Sequence, residues 1–213
     1  MQVIPMELGP FAARCVVLAD RASGRAMVVD PGFEAHEVVA RVRREALEVT
    51  TIVLTHGHID HACGVAVVRE AFPAAPVLIH PADIPLLQSL PEQAALFGLD
   101  AMEPIREDGR LSDGQELPLG GLSLLVRHCP GHSPGHVVLI HRDESIPVAV
   151  VGDVLFAGSV GRTDLWGGSF PQLENSIREV LYRLPGHTRV VPGHGPDTTI
   201  AEEMAGNPFV SGG

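Results

Sequence analysis

A dense group of histidines at the end of an apolar run constrains this chain more than any other part of its sequence. The stretch "TIVLTHGHIDHACG", residues 51–64, ends a short apolar run with three histidines and one aspartate, namely His56, His58, Asp60 and His61. One side chain is enough to cap a helix N-terminus, and neutral imidazoles gain little from the helix dipole. Capping therefore does not account for the group, and we interpret it as a metal-binding cluster.

Histidine and aspartate recur where other predicted strands end. These positions are His132 and His136 in "CPGHSPGH", Asp153 in "VVGDVLF" and His194 in "VVPGHG". Functional groups of open α/β folds gather at strand ends, so we expect these side chains to join the first cluster. We expect His136 to contact a ligand rather than to be one.

Two metal ions suit the remaining side chains. Imidazole nitrogens and carboxylates bind zinc, iron or manganese, and five histidines with two aspartates can hold two such ions. A two-metal centre activates water and polarises a carbonyl group, which is hydrolytic chemistry.

Hydrophobic periodicity predicts alternating strands and helices. "CVVLAD" and "RAMVVDPG" form a predicted hairpin, and "EAHEVVARVRREALEV" a helix with Val38, Val42 and Ala46 on one face. "TTIVLT" is a predicted strand, and "HACGVAVVREAF" a helix that begins at the histidines. "ADIPLLQSLPEQAALFG" reads as helical segments interrupted by Pro85 and Pro91.

The second half of the chain begins again with strands. "QELPLGGLSLLVRHCPG" and "HVVLIHRD" are predicted antiparallel ribbons, "AGSVGRTDLWGGS" a loop, and "FPQLENSIREVLYRL" an amphipathic helix. Each half reads as strands followed by strand-helix alternation. The pattern predicts two mixed sheets packed together with helices outside, in a single domain over residues 1–213.

Composition excludes several classes of function. The 213 residues are 45% apolar, carry a formal charge of −11 and contain no lysine, which excludes a lysine nucleophile. An acidic chain without a dense arginine run is a poor candidate for binding nucleic acids or anionic membrane surfaces. The absence of an 18-residue apolar run, of a signal-peptide pattern and of paired cysteines predicts a cytoplasmic protein with reduced thiols. The oligomeric state stays open.

The motifs "THGHIDH", "PGHSPGH", Gly152-Asp153 and "PGHG" occur in an order that resembles the metallo-β-lactamase fold superfamily. The resemblance implies an αββα sandwich of two mixed β-sheets with helices on the outer faces, and a binuclear site at one edge. It implies one metal at His56, His58 and His132, and a second at Asp60, His61 and His194. It also implies that Asp153 bridges the two ions and that Asp60 orients the nucleophile. Zinc is the first choice of metal, with iron or manganese as alternatives.

Further stretches resemble short glyoxalase II type proteins, also called hydroxyacylglutathione hydrolase-like. They are "DPG", "GRTDLWGGS" and "PGHGPDTTIAEEMAGNPF". The resemblance implies that a hydroxide at the binuclear centre cleaves a small-molecule thioester such as S-lactoylglutathione. Arg162 stands where longer enzymes have a lysine, which makes it a candidate for substrate binding. Pro196 replaces their tyrosine, so the resemblance supports thioester hydrolysis more firmly than glutathione as carrier.

Alternatives stay open beside this hypothesis. "GRTD" also resembles persulfide dioxygenases, in which one iron would be held by residues matching His56, His132 and Asp153. A non-catalytic metal-binding protein is a third interpretation, and a secreted β-lactamase is disfavoured because no signal peptide is visible. Arg162 and Asp164 can form an ion-paired loop instead of a substrate contact. Trp166 is predicted to line the pocket or to pack on the next helix. We interpret Cys63 as a buried small hydrophobe.

Overall fold

The computed structural model describes residues 1–212, and its first sheet contains six strands in sequence order. They are β1 (Gln2–Leu8), β2 (Ala13–Asp20), β3 (Arg25–Val29), β4 (Glu48–Val53), β5 (Val77–Ile79) and β6 (Gly109–Arg110). Neighbours are antiparallel from β1 to β3 and parallel from β3 to β6. The predicted hairpin is confirmed as β2 and β3, whereas periodicity did not indicate β1.

The second sheet also has six strands. They are β7 (Glu116–Leu119), β8 (Leu122–His128), β9 (Val137–His141), β10 (Val148–Gly152), β13 (Arg189–Pro192) and β14 (Thr198–Thr199). Their spatial order is β14-β13-β10-β9-β8-β7, with β10 and β13 parallel. The predicted antiparallel ribbon of β8 and β9 is confirmed. A short hairpin of β11 (Leu155–Phe156) and β12 (Ser159–Val160) lies within the segment between β10 and β13.

Helices connect the strands. They are α1 (Ala35–Arg44), α2 (Ile59–Ala62), α3 (Val65–Ala71), α4 (Ile84–Gln88), α5 (Leu90–Leu96), α6 (Phe170–Ser176) and α7 (Ile200–Gly206). A 3₁₀ turn at Pro81–Asp83 precedes α4, and a π-helical turn at Ile177–Leu181 extends α6. Pro85 and Pro91 lie in the first turns of α4 and α5, where the missing N–H of proline is harmless. No helix in the described part of the chain is long and apolar enough to cross a membrane.

The helix predicted over "EAHEVVARVRREALEV" ends earlier than expected. Val38 and Val42 are buried, but Ala46 is exposed and has a φ of 51°, beyond the last turn of α1. The N–H groups of Ala46 and Leu47 donate to the carbonyls of Arg43 and Val42, which is a Schellman arrangement. The prediction that Ala46 lies on the helix face was therefore wrong.

The helix predicted after the histidines is divided into α2 and α3. Gly64 lies at the break, where a Cβ atom would stand 2.1 Å from the carbonyl oxygen of Gly32 and 2.9 Å from that of Pro31. The N–H of Gly64 donates to the Pro31 carbonyl at 2.9 Å. Glycine thus lets the "DPG" turn and the histidine segment approach each other closely.

The chain divides into two compact units by its internal contacts. Unit 1 comprises Met1–Leu111 and Pro118–Ser123, and unit 2 comprises Ser112–Leu117 and the described residues from Leu124 onward. Each unit has its own apolar core. The single-domain assignment of residues 1–213 stays a prediction.

Candidate metal centre

In unit 1, the histidine cluster follows β4 and enters α2. His56 and His61 are fully buried and His58 is nearly so. The rings of His56 and His58 lie edge to face with centroids 4.8 Å apart, and those of His56 and His61 are 4.3 Å apart. Asp60 is partly exposed, with Oδ2 3.6 Å from Nε2 of His61. The structure thus brings the four candidate ligands of unit 1 together.

A buried carboxylate at the end of β3 orients the cluster. Asp30 has a φ of 52°, a left-handed conformation that aspartate adopts more readily than most residues. Its Oδ1 accepts from the N–H of Thr55 at 2.7 Å, and its Oδ2 accepts from the Thr55 hydroxyl at 2.6 Å. The same Oδ2 lies 3.1 Å from Nδ1 of His61. These three bonds make Asp30 a support for the ligands, although it lies close enough to His56 and His61 to be considered a ligand itself.

The hydrogen bonds of Asp30 decide the tautomers of two imidazoles. An ionised carboxylate can only accept, so Nδ1 of His61 carries the proton. The Thr55 hydroxyl donates its single proton to Asp30 and must therefore accept from Nδ1 of His56, which lies 3.0 Å away. In the neutral state both rings then present the Nε2 lone pair, as a metal ligand must.

In unit 2, an irregular strand end sets the position of Asp153. The register of β10 against β13 shifts between Val150 and Gly152, so Val151 is an extra residue in the ladder. Gly152 has a φ of 47°, and its carbonyl accepts from the N–H of Gly193 at 2.8 Å. This bulge ties the residue before Asp153 to the residue before His194.

The carboxylate of Asp153 lies between two imidazoles. Its Oδ2 is 3.7 Å from Nε2 of His132 and 3.6 Å from Nε2 of His194. Nδ1 of His132 donates to the carbonyl of Arg162 at 2.8 Å, which leaves its Nε2 as the unprotonated nitrogen. The structure therefore brings together the three candidate ligands of unit 2.

His136 contributes to this site through the main chain. Its Nε2 accepts from the N–H of Asp153 at 3.0 Å, and its side chain is fully buried. Because the lone pair of Nε2 accepts this bond, that nitrogen is not available as a metal ligand. The arrangement agrees with the expectation that His136 contacts a ligand.

Three further residues of the sequence hypothesis lie outside these clusters. The guanidinium of Arg162 is exposed and forms two bonds to Asp164, at 2.7 and 2.8 Å. Hydrogen bonding from Arg162 lowers the pKa of Asp164 to about 2, so the ion pair is intact at neutral pH. Trp166 is 60% exposed. Cys63 is partly buried and packs against the core of unit 1, and its burial, with the charge of Asp60, raises its pKa to about 12.

Sequence reasoning missed the supporting groups. The sequence marks Asp30 only as part of "DPG" and does not indicate Thr55 as a support, although both orient imidazoles. Arg162 was singled out for its side chain, whereas its carbonyl contacts His132. The placement of an aspartate at a strand end before Pro-Gly was the one available signal. The buried histidine and aspartate clusters fit a divalent metal site by the chemistry of their donors.

Comparison with known proteins agrees with this chemistry. The model of the metallo-beta-lactamase superfamily matches residues 8–194. Hydroxyacylglutathione hydrolase GloC of Haemophilus influenzae is 35% identical over 99% of this chain and 98% of its own length.

Solved structures show the same fold. The BLEG-1 B3 metallo-beta-lactamase has a TM-score of 0.90 and 37% identity, covering 98% of this chain and 99% of its own. TTHA1623 in a di-iron-bound form has a TM-score of 0.86 and 38% identity over 98% and 100% of the two chains. ETHE1 from Myxococcus xanthus has a TM-score of 0.80 and 26% identity over 100% and 85%. These likenesses confirm the predicted fold class, and the chain belongs to the metallo-β-lactamase superfamily of metal-dependent hydrolases.

Proposed function

We propose that the protein is a metal-dependent thioester hydrolase of the glyoxalase II type, acting on S-lactoylglutathione or a similar small thioester. The observation that carries the proposal is the carboxylate of Asp153, with one oxygen 3.7 Å from His132 and 3.6 Å from His194. This oxygen faces the unprotonated Nε2 of His132, which belongs to the first proposed ligand set, and the imidazole of His194, which belongs to the second. Such a position suits a carboxylate that bridges two ions. The 35% identity to GloC over nearly the whole chain supports the choice of thioester.

The proposed ligands are those of the sequence hypothesis. His56, His58 and His132 would hold one divalent ion, Asp60, His61 and His194 the other, and Asp153 both. Zinc is the first choice because imidazole and carboxylate suit it, and the di-iron form of TTHA1623 supports iron as an alternative, beside manganese.

Divalent ions bound there would lower the pKa of coordinated water and polarise the thioester carbonyl. The residues of the chain supply orientation. The Asp60 carboxylate is partly exposed and can accept a proton from the attacking water, while Asp30 holds His61 beside it. A thiolate is a good leaving group, so its departure requires little help from a general acid. Arg162 remains the proposed contact for a substrate carboxylate, for which it would have to exchange its bond to Asp164.

The test is hydrolysis of S-lactoylglutathione by metal-loaded protein, followed as loss of the thioester absorbance. Turnover should fall at least about a hundredfold in Asp153→Ala. It should stay unchanged in Asp143→Ala, because Asp143 is an exposed aspartate of the same unit. Equal turnover by wild type and Asp153→Ala would refute the hydrolase proposal.

Metal content and co-substrate separate this function from its alternatives. Two ions per chain with thioester cleavage support the proposal. One iron per chain with oxygen uptake on glutathione persulfide would establish the dioxygenase instead. Likeness to BLEG-1 adds a third assay, in which hydrolysis of a cephalosporin faster than of the thioester would establish a β-lactamase. We place the reaction in the cytoplasm, since the three cysteines are free.

A further inference from the structure

The peptide groups on both sides of Gly57 are held by side chains from the segment 81–96, which comprises the 3₁₀ turn, α4 and α5. The N–H of Gly57 donates to Oδ2 of Asp83 at 3.0 Å, and its carbonyl accepts from Nε2 of Gln93 at 3.2 Å. Asp83 is fully buried. Gly57 separates His56 from His58, so both bonds act on the main chain between two proposed ligands.

Gln93 also holds the next peptide group along the loop. Its Oε1 accepts from the N–H of Ile59 at 2.9 Å, and its Nε2 donates to the carbonyl of Leu86 at 2.9 Å. The amide therefore bridges the main chain across His58, from the Gly57 carbonyl to the Ile59 N–H. A flipped amide would face like groups on both sides, so the orientation of Gln93 is defined.

Close packing restricts the same point from the other side. A Cβ atom on Gly57 would lie 2.8 Å from the nitrogen of Leu87 and 3.0 Å from the carbonyl oxygen of Asp83. Both neighbours are main-chain atoms, which cannot turn away as a flexible side chain can. Helix α4 therefore lies directly against the loop, and only glycine permits this approach.

We propose that Gln93 and Asp83 are positioning residues that fix the mutual orientation of the His56 and His58 imidazoles. The inference rests on the proposed metal site. The rings of these histidines stand edge to face at 4.8 Å, an arrangement that depends on the torsion angles of the intervening glycine. Glycine is the most flexible residue, and the bonds from Gln93 and Asp83 remove that freedom before a metal arrives. Packing of the segment itself comes from other residues, because Leu87, Leu90 and Ala94 are buried in the core of unit 1.

The test measures Co²⁺ binding to the whole chain. Gln93→Met keeps the side-chain length and removes both contacts to the loop. We expect its dissociation constant for Co²⁺ to rise about tenfold, at the lower end of the effect of groups that support metal ligands. The visible absorption of bound Co²⁺ should change, since it reports ligand geometry. Gln88→Met is the matched control, because Gln88 is exposed on the same segment and should keep wild-type affinity and spectrum.

Two further variants separate positioning from folding. Gln93→Glu keeps the side-chain length and the acceptor for Ile59 but replaces the donor to the Gly57 and Leu86 carbonyls, and we expect a similar loss of affinity at a temperature below the unfolding midpoint of the apoprotein, where the variant is folded. Asp83→Asn retains an acceptor for Gly57 and should keep the affinity, whereas Asp83→Leu should lose it.

The outcomes distinguish this inference from the metal site. Wild-type affinity and spectrum in both Gln93 variants, or an equal loss in Gln88→Met, would overturn the positioning role while leaving the proposed hydrolase intact. Absence of Co²⁺ binding by the wild type would overturn the metal site and this inference together.

Discussion

Asp30 and His61 form a buried pair, with Oδ2 of the aspartate 3.1 Å from Nδ1 of the histidine. The two side chains are at most 3% exposed. Because the carboxylate of Asp30 accepts this bond, it determines that Nδ1 of His61 carries the ring proton. Through Thr55 it makes the same choice for His56.

The first prediction concerns Asp30→Asn. An asparagine amide can donate to Nδ1 of His61, which moves the ring proton to Nε2 and blocks that nitrogen as a ligand. We expect metal affinity to fall about 10–100-fold. Chelator competition measures the affinity, and the exposed Asp143→Asn serves as control. Wild-type affinity in Asp30→Asn would contradict the tautomer assignment.

The second prediction concerns His136→Leu. The variant leaves the buried N–H of Asp153 without its acceptor, which costs about 1–3 kcal/mol. Urea unfolding of the apoprotein should show that loss. His187→Leu removes an exposed histidine and should leave the urea midpoint in place. A stable His136→Leu would mean that this bond contributes nothing to the fold.

The third prediction uses the close approach at Gly32. A Cβ atom there would stand 1.8 Å from the carbonyl oxygen of Asp60, so Gly32→Ala must displace the histidine segment. We expect a destabilisation of about 1–3 kcal/mol together with weaker metal binding. Gly206→Ala places its methyl group in open space at the end of α7 and should not destabilise the fold. Thermal unfolding and metal titration of both variants provide the comparison.

The fourth prediction concerns a buried carboxylate in α7. Glu203 accepts from the Thr198 hydroxyl at 2.7 Å, the Asn207 amide at 2.8 Å and the N–H of Gly158 at 3.0 Å. Glu203→Ala leaves these donors unsatisfied, and we expect a loss of at least about 2 kcal/mol. Differential scanning calorimetry should then show the unfolding temperature lowered by several degrees. The exposed Glu179→Ala is the control, and an equal temperature for both variants would contradict the prediction.

The fifth prediction follows from two buried thiols. Burial raises the pKa of Cys15 and of Cys129 above the ordinary value of 9.0. The contribution of these thiols to the free energy of unfolding does not depend on pH below about 9. It declines at higher pH, because the thiols ionise in the unfolded protein but stay protonated in the folded protein. At pH 8 a disulfide reagent should leave both thiols unmodified in the native protein and label all three cysteines in denaturant. Fast native labelling of Cys129 would contradict its burial.

The sequence predicted those parts of the fold that rest on local periodicity. The strand before His56, the hairpin of β2 and β3 and the prolines at helix starts each leave a signal within a few neighbouring residues. The break at Gly64 and the early end of α1 depend on main-chain contacts and a left-handed alanine, which periodicity does not encode.

The candidate site was predictable in its donors but not in its supports. Histidines spaced as in "THGHIDH" indicate a metal site, because few other functions require three histidines so close in sequence. Asp30 and His61 form a hydrogen bond although they are 31 positions apart in the sequence, and Gln93 and Ile59 form one at a separation of 34 positions. The spacing of residues in the sequence does not indicate such long-range hydrogen bonds, so only the structure identifies these partners.

The extra residue in β10 makes the position of the Asp153 side chain depend on the number of residues in that strand. A β-bulge bends its strand and changes the direction of the side chains that follow it. Deleting Val151 would remove the bulge that carries Gly152 and Asp153 out of the regular ladder against β13, and the Asp153 carboxylate would be displaced from His132 and His194. We therefore expect a deletion in β10 to disturb the position of Asp153 more than a conservative replacement of one of the strand's valines.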